Sequence, residues 1–365
     1  MAGRLTIPGL SRRDPLVRHA GRRWRELTVG TARGLDPHRR TLAACSGGAD
    51  SSAMVLALAA AAGDEARQRI VVAHIVHDLR PASEAEADRD AARTLANALG
   101  LEFVEASVSV RAGPGNAEAR ARTARYAALA RLARDHGCGF VATAHHADDQ
   151  LETMLMTMLR GAGPRALAGI APRRRLGGRT GIVLIRPMLG LTRAELRAAC
   201  RRAGWAWRED LTNQDATRLR AALRVRVLPV LDEIHRGAAR RAARSARLQA
   251  AAARLVTRHA RPLAARATRS DGAVWNAEEL RDLPAIVLGE VLRLAARRVA
   301  GSRGADRLGA RAVGAVVRAI RDGTAGEWAW PGLRVVIGKG LVRMEPARGP
   351  RRAGETRGRV VTPRR

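Results

Sequence analysis

A run of small residues after an apolar segment has the residue types and spacing to hold the phosphates of a nucleotide. It reads Ser46-Gly-Gly-Ala-Asp-Ser-Ser52 and stands between a predicted strand and a predicted helix. Glycine lets the backbone turn tightly beside a phosphate, and a helix N-terminus offers free N–H groups with a partial positive charge. The Asp50 carboxylate would repel a bare phosphate, so it suits a nucleotide that carries Mg²⁺. The residues expected to contact the nucleotide are Ser46, Gly47, Gly48, Ala49, Asp50, Ser51, Ser52 and His74, the last from the end of the second predicted strand.

The spacing excludes two common phosphate loops. The Walker pattern GxxxxGK[ST] needs a lysine, and the only lysine in the chain is Lys339. The dinucleotide pattern GxGxxG does not fit the run either. A glycine–serine turn that binds nothing is the plain alternative, but the full pattern between a strand and a helix is uncommon. We therefore expect a nucleotide-binding loop of another type.

Histidines and carboxylates follow the strand predicted at residues 139–144. The stretch reads Thr143-Ala-His-His-Ala-Asp-Asp-Gln-Leu-Glu-Thr153. Asp149 and Glu152 lie three residues apart in a predicted helix, so their carboxylates share one face. Two such acids repel each other unless a cation lies between them, and a solvated acidic face is the other interpretation. A metal between His145 and Asp149 is a further alternative, although the sequence suggests no third, distant ligand.

The charge of the chain indicates a polyanionic partner. Its formal net charge is +32, from 66 lysine and arginine residues against 34 aspartate and glutamate residues. Codon bias in a GC-rich genome would explain why the base is arginine, but not so large an excess over acid. A field of this size favours nucleic acid. Trp205 and Trp207 could stack on an exposed base, with core packing as the alternative.

Cysteine and hydropathy patterns narrow the class further. Cys45, Cys138 and Cys200 are far apart and form no CxxC pair, which argues against a disulfide framework, a zinc site and an iron–sulfur cluster. No apolar run reaches the length that spans a membrane, and the N-terminus lacks the apolar core of a secretory signal. We expect a cytoplasmic protein with no membrane association.

Predicted strands and helices alternate from residue 41 onward. The strands are 41–45, 70–76, 101–106, 139–144 and 182–185, and the helices are 51–62, 85–99, 116–136, 148–160 and 192–203. This order is typical of a parallel sheet covered by helices on both faces. Residues 218–266 follow as basic helices with a break near Pro229, then helices at 280–299 and 306–321 and short strands at 328–330 and 333–337.

Five stretches, in the same order along the chain, resemble a known family. They are residues 42–52, 73–83, 116–126, 143–163, and 185–189 with 207–213. The first contains SGGxDS, which resembles the pyrophosphate loop of the ATP pyrophosphatase, or PP-loop, superfamily. Together they resemble the tRNA(Ile)-lysidine synthetases from about residue 41 to 231. Val76 and Asp78 depart from the family's second motif, and residues 220–226 lack an asparagine and one arginine of a later one.

The resemblance implies a reaction and its substrates. Members split ATP between the α and β phosphates, so ATP with Mg²⁺ near Asp50 would adenylate cytidine 34 in the CAU anticodon of tRNA(Ile). Free L-lysine would then displace AMP, held by Asp149 and Glu152. The family is often dimeric, so a homodimer is expected as well.

Arginines gain roles only through this resemblance. Arg125, beside Tyr126 in a predicted helix, and Arg220 and Arg224, in a later one, would contact the phosphates or the activated base, for which the planar guanidinium is well suited. A solvated basic face is the ordinary interpretation of each. The candidates for catalysis are Asp50, Arg125 and Arg224.

These observations predict an α/β protein. We expect a parallel Rossmann-like sheet of the adenine nucleotide α-hydrolase type with helices on both faces, plus a small, mainly helical second domain. The expected organisation is an arginine-rich extension at 1–40 that is partly disordered or lies over the first domain, a PP-loop ATP-binding catalytic domain at 41–235, a mainly helical tRNA-binding domain at 236–346, and a disordered basic tail at 347–365.

Three other functions stay open at this point. A tRNA cytidine thiolase would share the loop and the charge, but it should carry a CxxC pair or an iron–sulfur ligand set. A small-molecule AMP-forming synthetase would leave the arginine excess and the residues from His145 to Thr153 without a role. A catalytically inactive RNA-binding protein on the same scaffold is the third, and the intact loop argues against it.

Overall fold

The computed structural model describes residues 9–29, 40–78, 81–109, 117–161, 163–176, 181–209, 219–269, 272–300 and 308–347. The chain forms two compact units, Met1–Arg160 with Arg165–Gln249 and Gly161–Pro164 with Ala250–Arg365. Residues 79–80 and 210–213 of the family motifs lie outside the described residues, as does the predicted tail from 348 onward. The domain boundaries expected at 40, 235 and 346 stay predictions.

Helices and strands alternate through the first unit as the sequence predicts. The helices are α1 (Pro15–Thr28), α2 (Ala49–Ala62), α3 (Ala66–Arg69), α4 (Ala82–Ala98), α5 (Ala117–Asp135), α6 (Ala147–Leu159), α7 (Pro164–Leu167), α8 (Arg193–Arg202), α9 (Leu219–Ala222), α10 (Leu228–Ile234), α11 (Ala238–Ala267), α12 (Ala277–Arg281), α13 (Ala285–Val299) and α14 (Ala310–Asp322). The strands are β1 (Arg40–Ala44), β2 (Ile70–His77), β3 (Glu102–Val108), β4 (Cys138–Ala142), β5 (Arg173–Arg175), β6 (Val183–Ile185), β7 (Thr268–Arg269), β8 (Gly272–Asn276), β9 (Gly326–Trp330), β10 (Leu333–Gly338) and β11 (Leu341–Pro346).

A six-stranded sheet forms the centre of the first unit, in the order β3-β2-β1-β4-β6-β5. Its strands are parallel except β5, which runs antiparallel to β6 at the edge. The parallel sheet with helices around it confirms the predicted fold class. The strand order reverses between β1 and β4, and ligands of such sheets bind where the order reverses, outside the carboxyl ends of the strands. The phosphate-type loop follows β1, and the histidine–aspartate stretch follows β4, so both chemical groups meet at this switch point.

Helix α2 is buried on nearly every side. Its residues from Ser51 to Ala59 are all at most 9% exposed, because the sheet covers one side and α1 and α8 cover the others. Small side chains permit this close packing: a Cβ on Gly21 of α1 would lie 2.8 Å from Cβ of Ala61. The alanine-rich composition therefore packs helices against each other, as close-packed interiors require.

Helix α1 lies within the segment predicted to be an extension, and it packs onto the first unit. Asp14 caps it, accepting a hydrogen bond from the backbone N–H of Leu16 at 2.8 Å, and Pro15 starts it. Trp24 is 2% exposed and donates its indole N–H to Oγ1 of Thr41 in β1, at 3.0 Å. The helix thus belongs to the core beneath the sheet.

Replacing Trp24 by alanine should lower the free energy of unfolding of the first unit by about 3–5 kcal/mol, because it opens a cavity beneath β1. Urea unfolding followed by far-ultraviolet circular dichroism measures the change. Trp24→Phe should retain most of the stability, and Arg18→Ala, at an exposed position of the same helix, should change little. Wild-type stability for Trp24→Ala would show that α1 does not pack on the sheet in solution.

The second unit combines helices with a five-stranded antiparallel sheet, in the order β7-β8-β11-β10-β9. Most of its helices and strands β9 and β10 were predicted from the sequence, but β8 and β11 were not. In β11 the buried Val342 and Met344 alternate with more exposed neighbours, a two-residue period that a short strand shows only weakly. The helix predicted at 280–299 is divided before Ala285 by Pro284.

Two further details concern the helices. The break expected near Pro229 lies at residues 235–237, because a π-helical turn at Leu223–Val227 leads directly into α10, where Pro229 occupies the first turn. Among the helices that the structure describes, none is long and apolar enough to cross a membrane.

Candidate active site at the switch point of the sheet

The loop between β1 and α2 is held by its own hydroxyl groups. Oγ of Ser51 accepts a hydrogen bond from the backbone N–H of Ser46 at 3.0 Å and donates one to the carbonyl of Gly48 at 3.0 Å. Oγ of Ser46 lies 3.1 Å from the same atom. Gly48 is the N-cap of α2, so the free N–H groups of the first helical turn open toward the loop. Ser51 therefore shapes the loop from inside.

Gly47 occupies a position that other residues fill with difficulty. Its φ is +83°, and a Cβ there would lie 2.7 Å from the carbonyl oxygen of Asp88 in α4. Its own carbonyl accepts a hydrogen bond from the backbone N–H of Arg208 at 3.3 Å, while Nε of Arg208 donates to Asp88 at 3.0 Å. The loop is thus enclosed by α4 and by residues 205–209.

Gly47→Ala should weaken ATP binding at least about tenfold and cost about 1–3 kcal/mol of stability, because it adds a steric clash to an unfavourable φ. The matched control is Gly137→Ala, which has φ +66° but no atom within 4 Å of the added Cβ. Titration calorimetry with Mg-ATP and thermal unfolding compare the two. Equal effects of both substitutions would mean that the close approach to Asp88 does not matter.

Two polar atoms of the loop point to a ligand. Oδ1 of Asp50 and Oγ of Ser52 are buried without a hydrogen-bond partner, a condition that proteins usually avoid. A carboxylate oxygen is the donor that Mg²⁺ prefers, and Mg²⁺ is commonly held by one or two carboxylates together with phosphate oxygens. No group of three or more potential metal ligands occurs among the described residues. Asp50 therefore fits a Mg²⁺ ion brought by a nucleotide, and an all-protein metal site does not.

A buried histidine joins this loop to the start of α6. His146 is 1% exposed; its Nε2 lies 3.3 Å from Oδ2 of Asp50 and 3.6 Å from Oδ2 of Asp149, and its Nδ1 lies 3.3 Å from Oδ2 of Asp148. Burial acts to lower its pKa, but the three carboxylates outweigh burial and raise the pKa of His146 to about 10. The ring is therefore a cation that clamps the loop to α6.

This clamp makes stability depend on pH in the alkaline range. The pKa of His146 rises from 6.5 to about 10 on folding, so its stabilising contribution is complete below about pH 6.5 and is lost as the pH rises through about 10. His146→Gln should therefore lower the free energy of unfolding by several kcal/mol near pH 6, and its difference from the wild type should shrink toward pH 10. Urea unfolding at several pH values measures this, with the exposed His235→Gln as the control. A difference that stays constant with pH would contradict the charged clamp.

Asp149 and Glu152 lie side by side on α6, and two arginines bind them. Glu152 is 0% exposed and accepts hydrogen bonds from Nε of Arg220 at 2.6 Å and from Nε and Nη2 of Arg224 at 2.8 and 3.2 Å. Asp149 accepts one from Nη2 of Arg220 at 3.0 Å. Burial acts to raise the pKa of Asp149, but His146, His145 and Arg220 outweigh it and lower that pKa, so the carboxyl is ionised. The cation that the sequence required between these acids is supplied by the chain itself.

The remaining candidates lie at different distances from this centre. His74 is buried and its Nδ1 lies 2.9 Å from the carbonyl of Cys45; burial lowers its pKa, so it is neutral. A role in adenine binding stays a prediction, since this contact also supports the loop. Arg125 is exposed on α5 beside Tyr126 and makes no contact with the loop that the structure shows. Trp205 and Trp207 both pack against the core of the first unit, in agreement with the core-packing interpretation.

Sequence reasoning missed two parts of the site. One is the clamp, although His146 followed by Asp149 resembles a capping box, in which the third helical residue bonds back to the cap; here the backbone N–H of His146 donates to Asp149 at 3.0 Å. The other is Arg193 at the start of α8, whose backbone N–H donates to Asp148 at 2.8 Å and whose Nε lies 3.9 Å from Asp50. Only the tertiary structure brings that residue to the site.

Comparison with known proteins shows a consistent set of similarities. The sequence model of the PP-loop domain matches residues 19–231, which include every side chain of the site described above. A tRNA(Ile)-lysidine synthase from Bordetella bronchiseptica is 40% identical over 65% of this chain and 69% of that protein. Another from Methylobacterium sp. (strain 4-46) is 38% identical over 84% of this chain and 86% of its own length. A third, from Thermus thermophilus, is 38% identical over 80% of this chain and 54% of that protein.

Proposed function

Since this chain belongs to the PP-loop domain family and, within it, to the tRNA(Ile)-lysidine synthases, we propose how its own residues join L-lysine to a tRNA. It is an ATP-dependent, AMP-forming carbon–nitrogen ligase. The target is cytidine 34 in the CAU anticodon of tRNA(Ile), and the products are the lysidine-modified tRNA, AMP and pyrophosphate. Each step below is assigned to residues on the described elements.

One observation carries the assignment: the phosphate-type loop and the acidic pair on α6 form a single, buried centre. His146 lies 3.3 Å from Asp50 of the loop, and its backbone N–H bonds Asp149 at 3.0 Å. A nucleotide over residues 46–52 and an amine beside Asp149 would therefore be neighbours. Two-step ligation needs this proximity, because the activated intermediate must meet the amine before water reaches it.

The first step activates the base. The O2 oxygen of cytosine attacks the α-phosphate of ATP, the bond between the α and β phosphates breaks, and pyrophosphate leaves. The N–H groups at the start of α2 and the hydroxyl of Ser52 are placed to bind phosphate oxygens. Mg²⁺, held by the nucleotide and Oδ1 of Asp50, would neutralise phosphate charge there.

The second step transfers the base from AMP to the amine. The lysine ε-amine attacks C2 of the adenylated cytosine and AMP leaves. Asp149 and Glu152 bind the lysine in this proposal. Oε1 of Glu152 accepts a hydrogen bond from Nε of Arg224, and a carboxylate oxygen can accept more than one, so it has capacity for the amine. The attacking amine must be neutral, and one of these carboxylates can take its proton. Arg220 and Arg224 keep both acids ionised and oriented until the substrate is bound.

The tRNA is the partner that the charge of the chain serves. Much of α11 is basic, with exposed arginines that include Arg240, Arg241 and Arg244, and such a face suits the phosphate backbone of RNA. A homodimer and a cytoplasmic location complete the proposal. Both follow from the family and not from a contact in the structure.

The assay is incubation with radiolabelled lysine, ATP, Mg²⁺ and in-vitro transcribed tRNA(Ile) bearing CAU. Label should enter this tRNA and should not enter a transcript in which cytidine 34 is replaced by uridine. AMP and pyrophosphate should form in amounts equal to the label. Incorporation of sulfur from cysteine would support the thiolase, and ATP cleavage without tRNA would support a small-molecule synthetase.

The thiolase has a specific observation against it. All three cysteines are buried and unpaired. Burial raises the pKa of Cys45, that of Cys138 to about 11 and that of Cys200 to about 12, so each thiol is protonated near neutral pH. Sulfur transfer needs thiolates. The cysteines of this chain therefore fit a structural role.

A further inference from the structure

Arginines surround Tyr126 of α5 where strands β4 and β6 end. The guanidinium carbons of Arg122, Arg125 and Arg174 lie 5.6, 5.7 and 4.7 Å from the centre of the Tyr126 ring. Arg186, the residue after β6, lies at the hydroxyl of the same tyrosine. Within the part of the chain that the structure describes, no carboxylate lies at ion-pair distance from any of the four. The group forms a concentration of positive charge without a counter-charge.

Arg186 is the most telling member of this group. Its residue is 3% exposed, yet its Nε has no hydrogen-bond partner, and one of its terminal N–H groups donates to the carbonyl of Ala171. A buried charge without a partner of opposite sign is costly, so proteins retain one chiefly where an anion completes the site. The buried guanidinium therefore indicates an anionic ligand.

The neighbouring groups titrate as such a field requires. Burial acts to raise the pKa of Tyr126, but Arg122 and Arg186 outweigh it and lower that pKa. Burial lowers the pKa of His145 to about 3 despite Asp149, and Arg186 and Arg122 add to the effect, so its ring is neutral. The positive potential thus extends to the turn that carries the acidic pair.

The ligand that enters here is large and is distinct from the triphosphate of ATP. Arg122, Arg125 and Arg174 are exposed, so the site opens to the outside, with Arg186 and the tyrosine ring at its base. The loop that suits the triphosphate follows β1 and contacts His146, whereas Arg186 follows β6. An extended chain of phosphates with bases attached fits an open cluster of guanidinium groups around an aromatic ring.

We propose that Arg122, Arg174 and Arg186, grouped around Tyr126, bind a backbone phosphate of the RNA next to the nucleotide that reacts. This rests on the proposed function for the identity of the RNA. The contact fixes the register of the anticodon loop, so the target base reaches the phosphate-type loop in one orientation. Phosphate contacts of this kind position a nucleic acid, whereas contacts with base edges specify it.

The test uses exposed positions, so that folding is preserved. The variant is Arg122→Ala/Arg174→Ala. The matched control, Arg131→Ala/Arg175→Ala, removes the same charge from the same helix and strand at exposed positions, and adjacent residues of a strand face opposite sides. The probe is a synthetic anticodon stem–loop with the CAU sequence, and a set in which one loop phosphate at a time is an uncharged methylphosphonate. Affinity is measured by fluorescence anisotropy over a range of salt concentrations.

The variant should bind the stem–loop about tenfold more weakly than the control does. Its salt dependence should flatten by about 0.7 for each phosphate that the arginines no longer neutralise. One methylphosphonate position should weaken binding to the wild type and to the control but not to the variant. That coupling identifies the phosphate bound by the cluster.

Two results would overturn the inference: equal affinities for the variant and the control, or no methylphosphonate position whose effect depends on the cluster. A loss of Mg-ATP affinity in the variant instead of RNA affinity would assign the arginines to the triphosphate. Lysine incorporation by the wild type tests the proposed function separately. If the wild type incorporates none but the coupling is present, the RNA site stands and the ligase assignment fails.

Discussion

Asp50→Ala should reduce lysine incorporation into tRNA(Ile) by about 10²–10³-fold, because it removes the carboxylate that faces the phosphates. Oδ1 of Asp50 is buried and unpartnered, so its contribution to the fold is small, while Oδ2 is one of three carboxylate oxygens around His146. The release of pyrophosphate should fall with the incorporation of lysine, since both depend on the first step. Labelled lysine in precipitated tRNA and labelled pyrophosphate measure the two.

The control for this variant is Asp64→Ala, which removes an exposed carboxylate just after the end of α2. It should retain wild-type activity. Asp50→Asn distinguishes charge from size: it should be about as inactive as Asp50→Ala. If Asp50→Ala kept more than about a tenth of the activity, the loop would not act on the triphosphate as proposed, given the usual cost of losing one preorganised group.

Glu152→Gln should destabilise the first unit by about 3–5 kcal/mol, because it leaves two guanidinium groups partly buried without their common counter-charge. Glu152 is completely buried and accepts from both Arg220 and Arg224. Although burial opposes it, the contact with Glu152 also raises the pKa of Arg224, so that arginine stays charged after the substitution. Urea unfolding at neutral pH measures the loss.

Glu65→Gln is the matched control, since Glu65 forms an exposed ion pair with Arg69 whose carboxylate side chain is 62% exposed. Exposed pairs contribute about 0–1 kcal/mol, so this substitution should change little. The double variant Glu152→Gln/Arg224→Gln should recover part of the loss, and the cycle gives the coupling energy of the pair. At a temperature where Glu152→Gln is folded, its KM for lysine should rise while pyrophosphate release continues. An unchanged KM would remove Glu152 from lysine binding.

The sequence carried enough information to predict the catalytic half of the fold. Alternating apolar strands and helices have a strong period, and the run from Ser46 to Ser52 has a required place between β1 and α2. Asp149 and Glu152 were predicted to share a face because the helical period alone sets their geometry. Local patterns of this kind are read directly from residue spacing. The same holds for Thr192, which caps α8 as expected.

Contacts between distant segments were not predictable in the same way. Arg220 and Arg224 follow Glu152 by about seventy residues, and many other arginines offer the same chemistry, so composition did not single them out. The family resemblance assigns them to phosphates or the activated base, and that role stays a prediction. His146 needed three carboxylates from two segments before its charge had a reason.

Helix α2 sets a limit on how the rest of the chain can change. Each of its faces meets the sheet or another helix, and its sequence from Ala49 to Ala62 contains no arginine, although arginine abounds elsewhere in the chain. A mutational drift toward arginine codons can therefore accumulate on solvent-facing helices but stops at this one, where volume alone decides which residue fits. Its alanines record that restriction, and they hold the nucleotide loop at a fixed height above the sheet while the outer surface grows steadily more cationic.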